Sequence, residues 1–372
     1  MKILIGQLAS FGDCLYATVI AKQIKIDYPN CHLTWAIGAK YQSVIYNNPY
    51  IDKIWIIDNN DYYFEGWTLF ENECNKLKSE GVFDKIFLSQ IYPKNLYLFD
   101  GTIRSSILQV YPNKITDVTP IIQLTKEEIN NVNSFILKYK LINRKLIIFE
   151  FAPSSMQSYV NLEFALKTAE LLLKILQNNN LTIILSSHLK ITTGNESIID
   201  GSELTFRENA ELLNRSELLI GCSSGITWLS TSNWVKKIPT IQLINHKSYW
   251  FAGMIYDFQY HGLNHDNIIE LRKCSPEYLT NCINYVLSFD VYKAKNIYNY
   301  IVKPKIFTSF RTLQYNLLCE LKFKKVQFLL KNHIKRHGFK FIFLIYTIIN
   351  ILFMPLAPFI FLKNYFLKIK QK

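Results

Sequence analysis

At 372 residues the chain can hold two ordinary domains and an appendage, and its 49% hydrophobic content suits real cores, which excludes a disordered chain. The net charge of +13 is confined to the end: residues 303–372 hold fourteen Lys and Arg against one acid, Glu320, and residues 1–302 are neutral. A uniformly basic domain would suggest nucleic acid, whereas a neutral body with a basic, apolar tail argues against it and for an anionic membrane surface.

The first apolar run, residues 2–8, suits a buried strand and is too short for the core of a signal peptide. A turn at 9–12 and a helix at 13–27 follow, closed by Pro29-Asn30. Strands are expected at 31–37, 54–57 and 82–88, with a helix near 40–46; residues 90–120 read as loop and helix. A second cycle starts at Lys145: strands at 146–151, 181–185, 217–221 and 239–244, and helices at 162–177, 207–214, 224–234 and 276–287. Strands alternating with helices imply βαβ units, parallel sheets and two Rossmann-like halves meeting near 118–144. Seven cysteines without a CxxC pair read as free thiols in a reducing compartment, with neither a zinc site nor a disulfide frame. His246, His261 and His265 read as solvated loop histidines, because no pair has metal-ligand spacing. Tyr249-Trp250-Phe251 reads as a stacking platform or as core, and Arg207 and Glu208 as surface or helix-initiating residues.

Residues 6–13, Gly-Gln-Leu-Ala-Ser-Phe-Gly-Asp, join the first strand to the first helix, where open α/β sheets meet their ligands. The spacing is neither GxGxxG nor a P-loop, which disfavours a nicotinamide dehydrogenase. The loop offers a carboxylate, Asp13, at the helix start. By spacing alone it is equally a helix cap, worth about 1 kcal/mol.

The run Ile5–Asp13, then Tyr28-Pro29-Asn30, Trp35 and Asn48-Pro49-Tyr50-Ile51-Asp52-Lys53-Ile54, resembles the opening of bacterial heptosyltransferases, glycosyltransferase family 9. Farther on, Phe206-Arg207-Glu208-Asn209-Ala210-Glu211-Leu212-Leu213 and Leu218-Leu219-Ile220-Gly221-Cys222-Ser223-Ser224-Gly225 are similar to that family's helix and Gly-x-Asp-(Ser/Thr)-Gly donor loop. The resemblance spans roughly residues 1–290. It implies a GT-B fold, with an acceptor domain over 1–135 and a donor-nucleotide domain over 136–302. It also implies a nucleotide-diphospho-sugar donor, inversion at the anomeric carbon, and no metal or other cofactor. Three departures set the chain apart as a divergent member. Ser223 replaces the usual Asp, Trp228 stands where a His is common, and Gln157 falls near the position of the usual basic residue.

Inverting transfer needs one carboxylate to take the acceptor's proton, and Asp13 is the expected base, with Ser10 and Gly12 on the acceptor side. Ser223, Ser224, Gly225 and Thr227 form the expected donor loop, its N–H groups and helix N-terminus set against the diphosphate. Ser154, Ser155 and Gln157 are the expected donor contacts at the start of the second domain.

Residues 323–340 read as a basic amphipathic helix with Val326, Leu329, Leu330 and Ile334 on one face. Residues 341–362 are uncharged but hold Pro355 and Pro358 and have basic flanks, so a segment lying in the membrane surface is expected over a span or over burial against the body. The expected setting is the cytoplasmic face of an inner membrane, and the expected acceptor a lipopolysaccharide or other lipid-linked glycan. A catalytically inactive scaffold of a glycan-assembly complex and a protein-modifying transferase remain the alternatives.

Overall fold

The computed structural model describes residues 1–59, 61–92, 95–151, 157–176, 180–245 and 253–353. The first domain runs β1 (Lys2–Gly6), α1 (Phe11–Asp27), β2 (His32–Gly38), a 3-10 stretch (Ala39–Ile45), β3 (Lys53–Ile57), α2 (Glu65–Ser79), β4 (Lys85–Leu88) and α3 (Ile103–Leu108). Its strands form one parallel sheet in the order β3-β2-β1-β4. After α4 (Lys126–Lys138) come β5 (Lys145–Glu150), α5 (Leu162–Leu176), β6 (Leu181–Ser186), β7 (Ile198–Asp200), α6 (Glu208–Asn214), β8 (Leu218–Gly221), α7 (Gly225–Leu229), β9 (Thr240–Leu243), α8 (Met254–Tyr260), β10 (Ile268–Leu271), α9 (Pro276–Ser288) and α10 (Val291–Tyr298). The second sheet is also parallel, in the order β10-β9-β8-β5-β6-β7.

Counted from its own first strand, the second sheet has the doubly wound order 3-2-1-4-5-6, and the first sheet has its 3-2-1-4 part. The fold is thus two Rossmann-like units facing a cleft, the arrangement expected from the sequence. Each sheet reverses direction once, between β1 and β4 and between β5 and β8. Ligands of such sheets bind at the carboxyl ends of those central strands. The strands are apolar on both faces, as sheets covered by helices on both sides must be, and Ile3, Ile5, Ile147, Ile148, Leu218 and Leu219 are fully buried.

The helix expected over 224–234 stops at Leu229. The Ser230, Thr231 and Ser232 hydroxyls each donate to the carbonyl three residues back at 2.7 Å, a local bonding pattern that competes with the helix. All seven cysteines are unpaired thiols.

After α10 the chain returns to the first domain. The crossing is held by Glu270, whose carboxylate accepts the Val302 N–H at 2.6 Å and the Ile255 N–H at 2.5 Å; burial pushes its pKa up to about 7. Three helices then pack on the first domain: α11 (Ile306–Cys319), α12 (Phe323–His337) and α13 (Phe341–Phe353). Phe99, Phe310, Leu313, Leu329 and Phe343 form their shared core. The α12 stripe expected to face a membrane is turned inward instead. Val326 and Leu329 are buried, and Leu330 and Ile334 pack against the same core. Covering that stripe with protein removes the same apolar area from water as lipid would. No helix among the described residues is long and apolar enough to cross a membrane.

Candidate active site

A cleft of about 810 Å³ opens between the two domains. Ser10, Phe11, Gly12 and Asp13 line it from the first domain, and Glu150, Gln157, Ser223, Ser224 and Gly225 from the second. The loop after β1 is shaped by Gln90, just past β4. Its side-chain carbonyl accepts the Leu8 and Ala9 N–H groups at 3.1 Å each, and its amide donates to the Tyr62 carbonyl at 2.7 Å. The backbone at Ser10 is thereby held in the left-handed region, with φ +69°. No side chain caps α1, so Asp13 in its first turn is not used as a cap. It faces the cleft, where burial pushes its pKa up to about 7, close to the value that suits a general base at neutral pH.

The facing loop has the same shape. Ser223 also adopts a left-handed backbone, with φ +60°, just before a helix begins. Its hydroxyl donates to the Gln157 side-chain carbonyl at 3.0 Å, and its N–H donates to the Thr227 hydroxyl at 3.0 Å. The two loops meet at their glycines. A Cβ at Gly225 would lie 3.4 Å from the Gly12 nitrogen, 3.0 Å from Phe11 Cβ and 2.9 Å from the Phe206 ring. Any larger residue at 225 would wedge the N-termini of α1 and α7 apart.

Glu150, at the end of β5, organises the donor loop. It is buried, and its carboxylate accepts the Cys222 N–H at 2.8 Å together with the Ser224 and Thr227 hydroxyls. These bonds span the switch point between β5 and β8. They also engage the two hydroxyls expected to face the donor, so Ser224 and Thr227 shape the loop through Glu150. Thr227 is fully buried. Ser154 and Ser155 lie outside the described residues, as do His246 and the Tyr249-Trp250-Phe251 cluster.

Two buried arginines tie the domains together. Arg104 of α3 pairs with Asp257 of α8 at 2.8 Å, and both line the cleft. The guanidinium sits 3.9 Å from the Tyr16 ring centroid and 4.8 Å from that of Trp228. Trp228, standing where the family has a His, thus covers a buried cation one turn behind the loop glycines. Burial pushes the Arg104 pKa down to about 10 and the Asp257 carboxyl up, so desolvation outweighs the attraction within the pair. His261 lies 3.9 Å from Asp257; burial holds its pKa down at about 3, so it is a packed neutral ring and not a solvated loop histidine. Arg207 is likewise no surface residue. It is 2% exposed, pairs with Glu128, and donates to the Tyr46 and Gln123 carbonyls. Its neighbour Glu208 is buried too, accepting from Asn131 at 2.8 Å. An Arg-Glu opening to a helix signals exposure by composition. Here it is buried because Arg207 finds its partners across the domains, and Glu208 is held by Asn131 and by the Thr205 N–H of its own domain.

Glu150, Gln90, Arg104 and Asp257 were missed in the sequence. Only Glu150 left a trace there, as an acid ending an otherwise apolar strand.

No family model matches the chain, and no curated protein matches it in sequence. Solved structures do. A glycosyl transferase family 9 protein from Veillonella parvula aligns over 84% of this chain and 96% of its own, with a TM-score of 0.54 at 15% identity. Escherichia coli ADP-heptose LPS heptosyltransferase II aligns over 77% of this chain and 99% of its own, with a TM-score of 0.53 at 14% identity. In the order of its motifs and in its fold, the chain is similar to glycosyltransferase family 9.

Proposed function

We propose that the chain is an inverting glycosyltransferase that moves a sugar from a nucleotide-diphospho-sugar to a glycan acceptor. The observation that carries this is Asp13: a cleft-facing carboxyl with a pKa near 7, set beside the point where the α1 and donor-loop backbones touch. The acceptor hydroxyl gives its proton to Asp13 as its oxygen attacks the anomeric carbon. The bond from that carbon to the diphosphate oxygen breaks, and the electron pair leaves with the nucleotide. The backbone N–H groups of Ser224 and Gly225 and the N-terminus of α1 would meet the departing negative charge, while the Ser223 N–H holds the loop through Thr227. The E. coli relative of matching fold is named for ADP-heptose, which supports a nucleotide-sugar donor class. A lipid-linked surface glycan is the acceptor class that best suits the basic, apolar end of the chain.

The chemistry needs no metal in this reading. Among the described residues no three His, Cys, Asp or Glu side chains cluster as metal ligands. Besides Asp13, the carboxylates lining the cleft among the described residues are already engaged, Glu150 by hydroxyls and an N–H and Asp257 by Arg104. Turnover is therefore expected to be unchanged by a chelator, and an α-linked donor to give a β-linked product by NMR. Loss of activity restored by magnesium, or a product of retained configuration, would overturn the mechanism.

A further inference from the structure

Helix α13 is built inside out. Its inward face carries Phe343, Thr347 and Asn350. Asn350 donates at 3.0 Å to both the Arg311 carbonyl and the Gln314 side chain, and the Gln314 amide donates to the Thr347 hydroxyl at 2.8 Å. Its outward face carries Phe341, Leu344, Ile345, Ile348, Ile351 and Leu352 in a single stripe at helical spacing. Phe341 and Leu352 are about 70% exposed, at 70% and 69%, and Ile348 is 59% exposed. A helix that buries its amides and shows its aliphatic residues is arranged for an apolar exterior. Its described part, Phe341–Phe353, is about 20 Å long.

The charge around it indicates which apolar exterior. Lys322, Lys324, Lys331, Lys335 and Lys340 are exposed on the neighbouring segments, and Glu320 is the lone acid from 303 to the end. Residues 354–372, beyond the described part, add four lysines, no acid and further Leu, Ile and Phe. We infer that the outer face of α13 lies in the surface of an anionic bilayer, with Lys322, Lys324, Lys331, Lys335 and Lys340 at the headgroups.

The placement sets the cleft near that surface. Four residues before α13, His337 donates from Nε2 to the Asp100 carbonyl at 2.8 Å, and its Nδ1 lies 3.2 Å from the Tyr256 hydroxyl. Arg336 stacks on Tyr260. Thr102 and Arg104, just beyond Asp100, line the cleft, as does Asp257 beside Tyr256. One end of α12 therefore touches both domains at the cleft rim, and a lipid-linked acceptor held at the membrane would meet the cleft there.

The full-length protein should co-sediment with vesicles of phosphatidylcholine containing about one third phosphatidylglycerol, and only weakly with phosphatidylcholine alone. The double variant Ile348→Glu/Leu352→Glu changes only outward-facing residues, so its melting curve should match wild type. Its partition onto the anionic vesicles should fall about 30-fold or more, because two carboxylates would enter the apolar layer. The assay reads no transfer, so its outcome is independent of the reaction proposed above. Three results would overturn the inference: wild type that does not sediment, a folded variant that sediments like wild type, or a wild-type dimer without vesicle binding that the variant converts to monomer. The last would assign the face to a second copy of the chain.

Discussion

Replacing Asp13 by Asn is expected to lower transfer by about two to four orders of magnitude, the usual worth of general base catalysis, while the protein stays folded. Stability should move the other way above neutral pH. In the unfolded chain the carboxyl ionises near 3.8, and in the cleft near 7. Between those values the folded state holds the proton more tightly, so this group's contribution to stability falls as pH rises and stays at its lowest above pH 7. Asn carries no such cost. The variant should therefore gain on wild type from pH 4 to 7 and hold that gain at pH 8. We expect on the order of 1–2 kcal/mol after discounting for cleft water. Wild-type kcat/KM should rise through pH 7 with the loss of one proton. Near-normal turnover in Asp13→Asn, or a variant less stable than wild type at pH 8, would remove Asp13 from this role.

The second large effect belongs to Arg104 and Asp257. Arg104→Leu strands a buried carboxylate and Asp257→Leu strands a buried guanidinium, and each should cost about 3–5 kcal/mol in urea unfolding. Arg104→Leu/Asp257→Leu should recover to within about 1 kcal/mol of wild type, because the pair is already strained by desolvation. Activity should not recover with it. The guanidinium is packed between Tyr16 on α1 and Trp228 on α7, the two helices that carry Asp13 and the donor loop. The stable double variant should therefore stay at least about tenfold below wild type in kcat/KM, the cost of a small misplacement at a two-domain site. Additive destabilisation in the double variant would show that the charges do not act as a pair.

Most of the architecture was legible because its strands are short, apolar and bounded by Pro, Asn and Gly. The strands missed were β7 and β10. The first is a three-residue edge strand, shorter than any periodicity can reveal. The second, Ile268–Leu271, has its apolar run broken by Glu270, yet that carboxylate is buried to hold the chain where it crosses back to the first domain. The site was legible where a motif occupies consecutive residues, as in the loops at 6–13 and 222–228. It was illegible where a distant side chain shapes the loop. Gln90 is 77 residues from Asp13 yet holds the loop that presents it, and Glu150 holds a loop more than 70 residues away. The amphipathic character of α12 was legible, and the surface that covers its stripe was not. Spacing identifies an apolar stripe on α12 and cannot say whether protein or lipid covers it. Only the packing shows that α12 turns its stripe inward and α13 turns its own outward.

The central claim is that the cleft takes a nucleotide-diphospho-sugar and spends it through Asp13. It is tested most directly by titrating full-length wild type and Asp13→Asn with a panel of nucleotide sugars by calorimetry, then following nucleoside diphosphate release with a glycan acceptor. The account predicts saturable binding of at least one donor by both proteins, with release from wild type at least about 100-fold faster than from the variant. Saturable binding of none by wild type, or equal release from both, would contradict it.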